Sequence, residues 1–125
     1  MSVYNLIKKR RSIRSFLKKE IPASHIKKIL ESASWAPSGL NNQPWRFVIL
    51  RNKSIKYKLS KLTKYSYIIN RANCVILVFL DINNSYNRTK DIQAIGACIQ
   101  NMLLCSCELG IATCWLGEIL NKRKK

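Results

Sequence analysis

The chain is poor in acid. Of its 125 residues only 6 are Asp or Glu, against 23 Lys and Arg, for a formal charge of +17. An imbalance of that size predicts affinity for anions and invites a nucleic-acid or membrane-surface reading. The bases are spread, however. Nine lie in residues 8–28, seven in 51–71 and four in 122–125. No zinc-finger spacing and no aromatic-studded RNA-binding strand accompanies them, which favours a solvated basic surface. Histidine is almost missing too. The one histidine, His25, lies far in sequence from Cys74, Cys98, Cys105, Cys107 and Cys114, which argues against a structural zinc site. Five is an odd number, and these cysteines sit among apolar residues. They read as reduced, buried small side chains. Cys105 and Cys107 are two apart in an expected helix and point in different directions, which disfavours a redox or metal role for the pair.

Long apolar runs are also lacking. None approaches the roughly 20 residues that span a bilayer. The N-terminal residues MSVYNLIKKRRS have no apolar stretch of the signal-peptide kind, so a cytoplasmic location is expected. There is no P-loop pattern, no internal repeat and no interdomain linker. With 47% apolar residues, residues 1–125 are expected to form one domain with a core of moderate size.

Residues 36–50, APSGLNNQPWRFVIL, organise what is present. A helix should end here, because Pro37 lacks an N–H and disfavours a helical residue before it. Gly39 can take positive φ or admit a ligand close to the backbone. Asn41, Asn42 and Gln43 each offer donors and an acceptor, which would suit a flat ligand edged with carbonyls and ring N–H groups. An ordinary solvated helix-to-strand connection has the same composition.

The other elements follow from periodicity. Val3, Leu6 and Ile7 predict a short first helix that runs into KKRRSIRSF. There Arg10, Arg11, Ser12 and Arg14 could grip a phosphate, or form a basic surface turn. Pro22 opens a second helix with Ile26, Ile29, Leu30 and Ala33 on one face, and His25 reads as a surface residue. Residues 46–50 read as a strand. Residues 53 to about 63 read as an exposed helix with Ile55, Leu59 and Leu62 as its stripe, and 64–73 as a polar loop. CVILVFL, residues 74–80, predicts a central strand covered on both faces. After a loop at 81–88, residues 91–109 predict the longest helix. Its Ile92, Ile95, Ile99, Met102 and Leu103 lie at helical spacing, and Gly110 is placed to cap it. Residues 111–116 predict a short extended segment, and the NKRKK end is expected to fray.

Four stretches, in this order, resemble the nitroreductase family of FMN-dependent oxidoreductases. They are RRSIRSF at 10–16, ILESASWAPSGLNNQPWRFVIL at 29–50, CVILVFL at 74–80 and GACIQNMLLCSCELGIATCWLG at 96–117. The second is the most specific. The resemblance implies an α+β fold, with a central, mostly antiparallel sheet flanked by helices and a long buried core helix, in an intertwined homodimer. It places Arg10, Arg11 and Ser12 at the phosphate or ribityl end of FMN and Arg14 at the pyrimidine side of the ring. Pro37, Ser38, Gly39 and Asn41 would reach the same cofactor from the partner subunit. Trp115, Leu116 and Gly117 would pass near its N5. The implied reaction has two halves. NAD(P)H reduces FMN, and an acceptor such as a nitroaromatic or a quinone then takes the electrons. No side-chain nucleophile or base is required for this, because the cofactor carries the chemistry.

Family members usually continue past the W-x-G element. The expectation is therefore a nitroreductase-like domain without the usual C-terminal part, which brings a further basic pair to the phosphate and embraces the partner. Lys122, Arg123 or Lys125 could stand in for that pair. Two alternatives follow, a non-catalytic remnant of the fold or a basic protein that binds nucleic acid or another polyanion.

Overall fold

A computed structural model describes residues 1–121. The expected phosphate substitutes Lys122, Arg123 and Lys125, and most of the NKRKK end, lie outside the described residues. Five helices and two strands follow one another as α1 (Val3–Lys9), α2 (Ala23–Ser34), β1 (Trp45–Leu50), α3 (Lys53–Ser60), α4 (Ser66–Arg71), β2 (Val75–Leu80) and α5 (Arg88–Glu108). Short 3-10 turns occur at Gly39–Asn41, Ile82–Asn84 and Glu118–Asn121. This is the expected mixture of helices around an antiparallel sheet.

The core lies between α2, α5 and the sheet. Ile26, Ile29 and Ala33 are the buried stripe of α2, at the spacing read from the sequence. Each buried isoleucine contributes about 1.5–3 kcal/mol relative to exposure. α2 meets α5, where Asn101 Nδ2 donates to the Ser32 carbonyl at 3.0 Å. Ala33, Ala36, Trp45, Ala94, Cys98 and Met102 join Ile29 in one cluster, with Phe47, Ile76 and Val78 of the sheet packed against it.

β1 and β2 pair antiparallel from Trp45↔Leu80 to Leu50↔Val75. The sheet has two strands. No residue of β2 is fully buried, and Phe79 is 49% exposed. The expectation of a central strand covered on both faces is therefore corrected. A continuous apolar run is compatible with two covered faces, but among the described residues β2 has one strand neighbour.

Four smaller expectations also change. α3 stops at Ser60 rather than near Thr63, and its buried residues are Lys56 and Ser60 while Ile55 is exposed. The segment read as a loop over 64–73 contains α4, whose Ile68 and Ile69 are buried. α5 starts at Arg88, with Asn87 Oδ1 capping it by accepting from the Lys90 N–H at 3.0 Å. Its buried stripe is Asp91, Ala94, Cys98, Met102 and Ser106, whereas Ile92 is 48% exposed. His25 is half-buried and faces a cavity instead of lying free on the surface.

Gly110 ends α5 as expected, at φ 75°. Its N–H donates to the Cys107 carbonyl at 3.1 Å, and the Ile111 N–H donates to that of Ser106 at 2.8 Å. This is the paired arrangement that satisfies two orphan carbonyls at a helix end.

Candidate functional site

The reversal at Gly110 sends residues 111–117 back along the molecule, where they meet the arginine segment. Ser12 and Thr113 form a parallel bridge, and the Ile13 N–H donates to the Thr113 carbonyl at 2.8 Å. Two stretches about a hundred residues apart in sequence are thus held side by side by backbone. Trp115 follows, 53% exposed, and its ring lies over α5 at Gly96, where a Cβ would come 4.0 Å from its Cη2. Leu116 is half-buried and Gly117 faces open space.

Arg10 is half-buried at the end of α1, while Arg11, Ser12 and Arg14 are exposed. Arg11 Nη1 donates to the carbonyls of Lys8 at 2.6 Å and Arg10 at 2.8 Å, which folds that side chain back on its own turn. The two ion pairs among the described residues are Arg46–Asp81 at 3.0 Å and Arg51–Glu20 at 3.7 Å. Both lie outside this segment, so neither pair engages its guanidiniums. Such a donor set suits a phosphate.

The loop at residues 37–43 lies against the start of α5 instead. Leu40, Asn41 and Gln43 have φ of 56°, 52° and 48°. Left-handed backbone in non-glycine residues costs about 1–3 kcal/mol each and persists only where the surroundings impose it. The surroundings are visible here. Asn42 Nδ2 donates to the Asn84 carbonyl at 3.0 Å and to Asp91 Oδ1 at 2.9 Å, and Asn84 Nδ2 donates back to the Asn42 carbonyl. The Gln43 N–H donates to Ser38 Oγ at 3.1 Å. Gly39 packs directly on Tyr86, since a Cβ there would fall 1.8 Å from the Tyr86 Oη.

Asp91 anchors this arrangement. It is fully buried and accepts from Ser85 Oγ, from the Tyr86 N–H at 3.1 Å and from the Asn87 N–H at 3.4 Å, besides Asn42. Burial pushes its carboxyl upward, but the hydrogen bonds of Ser85, Asn42, Asn87 and Tyr86 together outweigh burial and hold it below the ordinary carboxylate range.

The structure therefore ties the segment that carries Arg10, Arg11, Ser12 and Arg14, at Ser12 and Ile13, to Thr113, two residues before Trp115, Leu116 and Gly117. It does not join them to Pro37, Ser38, Gly39 and Asn41, and no hydrogen bond links the two groups among the described residues. A cavity of about 520 Å³ lies elsewhere, between α2, α4, β2, α5 and residues 109–119. Trp115 and Leu116 face it, whereas the arginines and the 37–41 loop do not. Asp91, and its bond to Asn42, were not foreseen as part of the site. The signal for Asp91 was its place three, seven and eleven residues before Ala94, Cys98 and Met102, on the stripe that is buried.

The model of the Nitroreductase family matches residues 7–66 and 60–123. The chain belongs to that family. Among relatives of this nitroreductase-family chain is a Methanothermobacter thermautotrophicus protein named "Putative NADH dehydrogenase/NAD(P)H nitroreductase". It is 32% identical over 94% of this chain and 61% of its own length. An Archaeoglobus fulgidus protein of the same name is 35% identical over 90% of this chain and 65% of its own. A crystal structure from Desulfovibrio desulfuricans, described as a "putative nitroreductase in complex with fmn", superposes with a TM-score of 0.93 and 44% identity. That match covers 97% of this chain and 71% of the other. The chain thus spans somewhat under two thirds of the length of these curated relatives. Among the described residues no helix is long and apolar enough to cross a membrane.

Proposed function

We propose that this chain is an FMN-dependent oxidoreductase that uses NAD(P)H to reduce nitroaromatic, quinone or related small acceptors. The observation that carries the reading is the backbone pairing of the arginine segment, at Ser12 and Ile13, with Thr113. It supports the expectation that two of the three stretches placed around FMN share one site. The Desulfovibrio structure that matches this chain at 44% identity is described as holding FMN. When bound, FMN supplies the two-electron redox chemistry.

The residues present fit that cofactor. Arg10, Arg11 and Ser12 would hold its phosphate or ribityl end with charge-assisted hydrogen bonds. Arg14 would set a positive charge on the pyrimidine side, where electron gain places negative charge. Backbone groups of Trp115, Leu116 and Gly117 would orient the ring and shield it from water. Pro37, Ser38, Gly39 and Asn41 would complete the site from a second subunit, because within one subunit they stand apart from the arginines. A homodimer also accounts for Val3, Trp35 and Leu40, which are 71%, 84% and 84% exposed. A single domain working in the cytoplasm completes the reading.

The test is to purify the protein with excess FMN and record its visible spectrum and melting temperature. The reading expects a flavin spectrum that stays with the protein and a melting temperature that rises with FMN. Arg14→Ala should weaken binding more than Lys58→Ala on the exposed side of α3. A colourless protein whose melting is indifferent to FMN would reject cofactor binding. Oxidation of NADH or NADPH by the loaded protein, with a nitroaromatic or a quinone present, then tests turnover.

A further inference from the structure

Asn42 is peculiar in one respect. Both hydrogens of its side-chain amide are used, one on the Asn84 carbonyl and one on Asp91, yet its Oδ1 is buried without a hydrogen-bond partner. A buried amide oxygen left alone is costly, and turning the amide over could relieve that. The turn is blocked by charge. It would set Oδ1 against the Asp91 carboxylate and the Asn84 carbonyl, two acceptors facing a third. The ionised Asp91 therefore fixes which way Asn42 points. Asn42 lies between Asn41 and Gln43, two of the three residues whose backbone is left-handed. Tyr86 and Ser85, which frame the loop from the other side, are held by the same carboxylate.

We propose that Asp91 is a positioning residue for the cofactor loop: through Asn42 it holds residues 38–43 in the form, left-handed at Leu40, Asn41 and Gln43, that presents Ser38, Gly39 and Asn41. The proposal rests on the FMN reading above. Asp91 itself is buried beneath the loop and is placed to act only through the loop. Its carboxylate offsets the backbone cost that the loop would otherwise relieve by relaxing, so the free protein holds the loop already formed. A site formed in advance does not spend binding free energy on ordering its own loop.

The experiment is a double-mutant cycle on FMN affinity, read by quenching of free FMN fluorescence, in the wild type, Asp91→Asn, Asn42→Ala and the double variant. A hydrogen bond to a buried charge predicts that each single change weakens FMN binding by about tenfold or more. The double variant should then be hardly weaker than either single one, because both changes break one link. Additive losses, or an Asp91→Asn protein that binds FMN as tightly as wild type, would overturn the proposal. Hydrogen exchange of the FMN-free proteins provides a second readout. Both single variants should speed exchange within residues 38–43, while the α2 and C-terminal α5 amides stay protected. Unchanged exchange in the loop would overturn the proposal as well. If Asp91→Asn fails to fold, Asn42→Ala carries both readouts alone, since it leaves the buried carboxylate in place. Failure of the FMN reading would show separately, as a wild type that quenches no FMN, and the loop exchange then decides the proposal.

Discussion

Lys56 shows how one side chain can belie its neighbourhood. In KSIKYKLS it reads as another solvated lysine, yet it is 5% exposed, and its Nζ donates to the Ala72 carbonyl at 2.6 Å. The bond joins α3 to the end of α4, and Ser60 adds a second tie by accepting from Asn70 Nδ2 at 3.1 Å. A long aliphatic stem can be buried while its ammonium finds a carbonyl, and nothing in local sequence separates that case from an exposed lysine. Lys56→Ala removes the stem and leaves a half-buried carbonyl without its donor, so it should cost about 2 kcal/mol. Lys58→Ala, exposed on the same helix, should stay within about 0.5 kcal/mol. Urea denaturation of both variants checks the pair. Asn42 is the complementary case, an amide visible in the sequence whose partner Asp91 is far away along the chain. Residues such as Pro37 and Gly110 were legible because their constraint is local. Lys56 and Asn42 were not, because theirs comes from the tertiary neighbour.

At the scale of elements, periodicity located α2, β1, the body of α5 and the turn after it. α2 shows its stripe cleanly because its other face is lysine, glutamate and serine. α5 was legible as a helix but not in rotation. Apolar residues occur nearly all round it, so Ile92 looked as buried as Ala94, and Asp91 looked like a helix-start charge. α4 was hidden because a helix of 6 residues spans too few turns to repeat a pattern. Gly110 is the clearest element-level test. Its φ of 75° is left-handed, and nothing lies within 4 Å of where a Cβ would be, so a substitution there meets strain and no clash. Gly110→Ala should lower stability by about 1 kcal/mol. Gly117→Ala also meets open space and carries no left-handed φ, so thermal unfolding should not distinguish it from wild type. A loss at Gly117 equal to that at Gly110 would show that the helix ending is not what makes glycine necessary.

For the whole molecule, the sequence's excess of base said less about function than the pairing of two remote segments did. Family resemblance had placed both segments at one cofactor, but periodicity could not, because a single bridge between Ser12 and Thr113 leaves no periodic trace. What the charge does govern is how stability varies with pH, together with two buried groups of opposite tendency. The Asp91 carboxyl is held below its usual value of 3.8, so the unfolded chain binds the proton first as pH falls. The stability it confers is complete above that value and is lost as pH drops through the lower, folded one. Acid also neutralises the few carboxylates that oppose 23 bases, which adds self-repulsion on the same side. At the alkaline end burial pushes the Cys98 thiol up from 9.0 to about 11. Between those values the unfolded chain has lost a proton that the folded chain keeps, so stability falls as pH rises from 9 toward 11. Melting temperatures across pH should therefore form a plateau with a shoulder on each side. Cys98→Ala should flatten the alkaline shoulder and Asp91→Asn the acid one, each lowering the plateau itself. An alkaline shoulder unchanged in Cys98→Ala would mean that another group sets it. Alkylation at pH 9 offers a direct check, since Cys98, fully buried in the core, should be the last of the five cysteines to react in the folded protein.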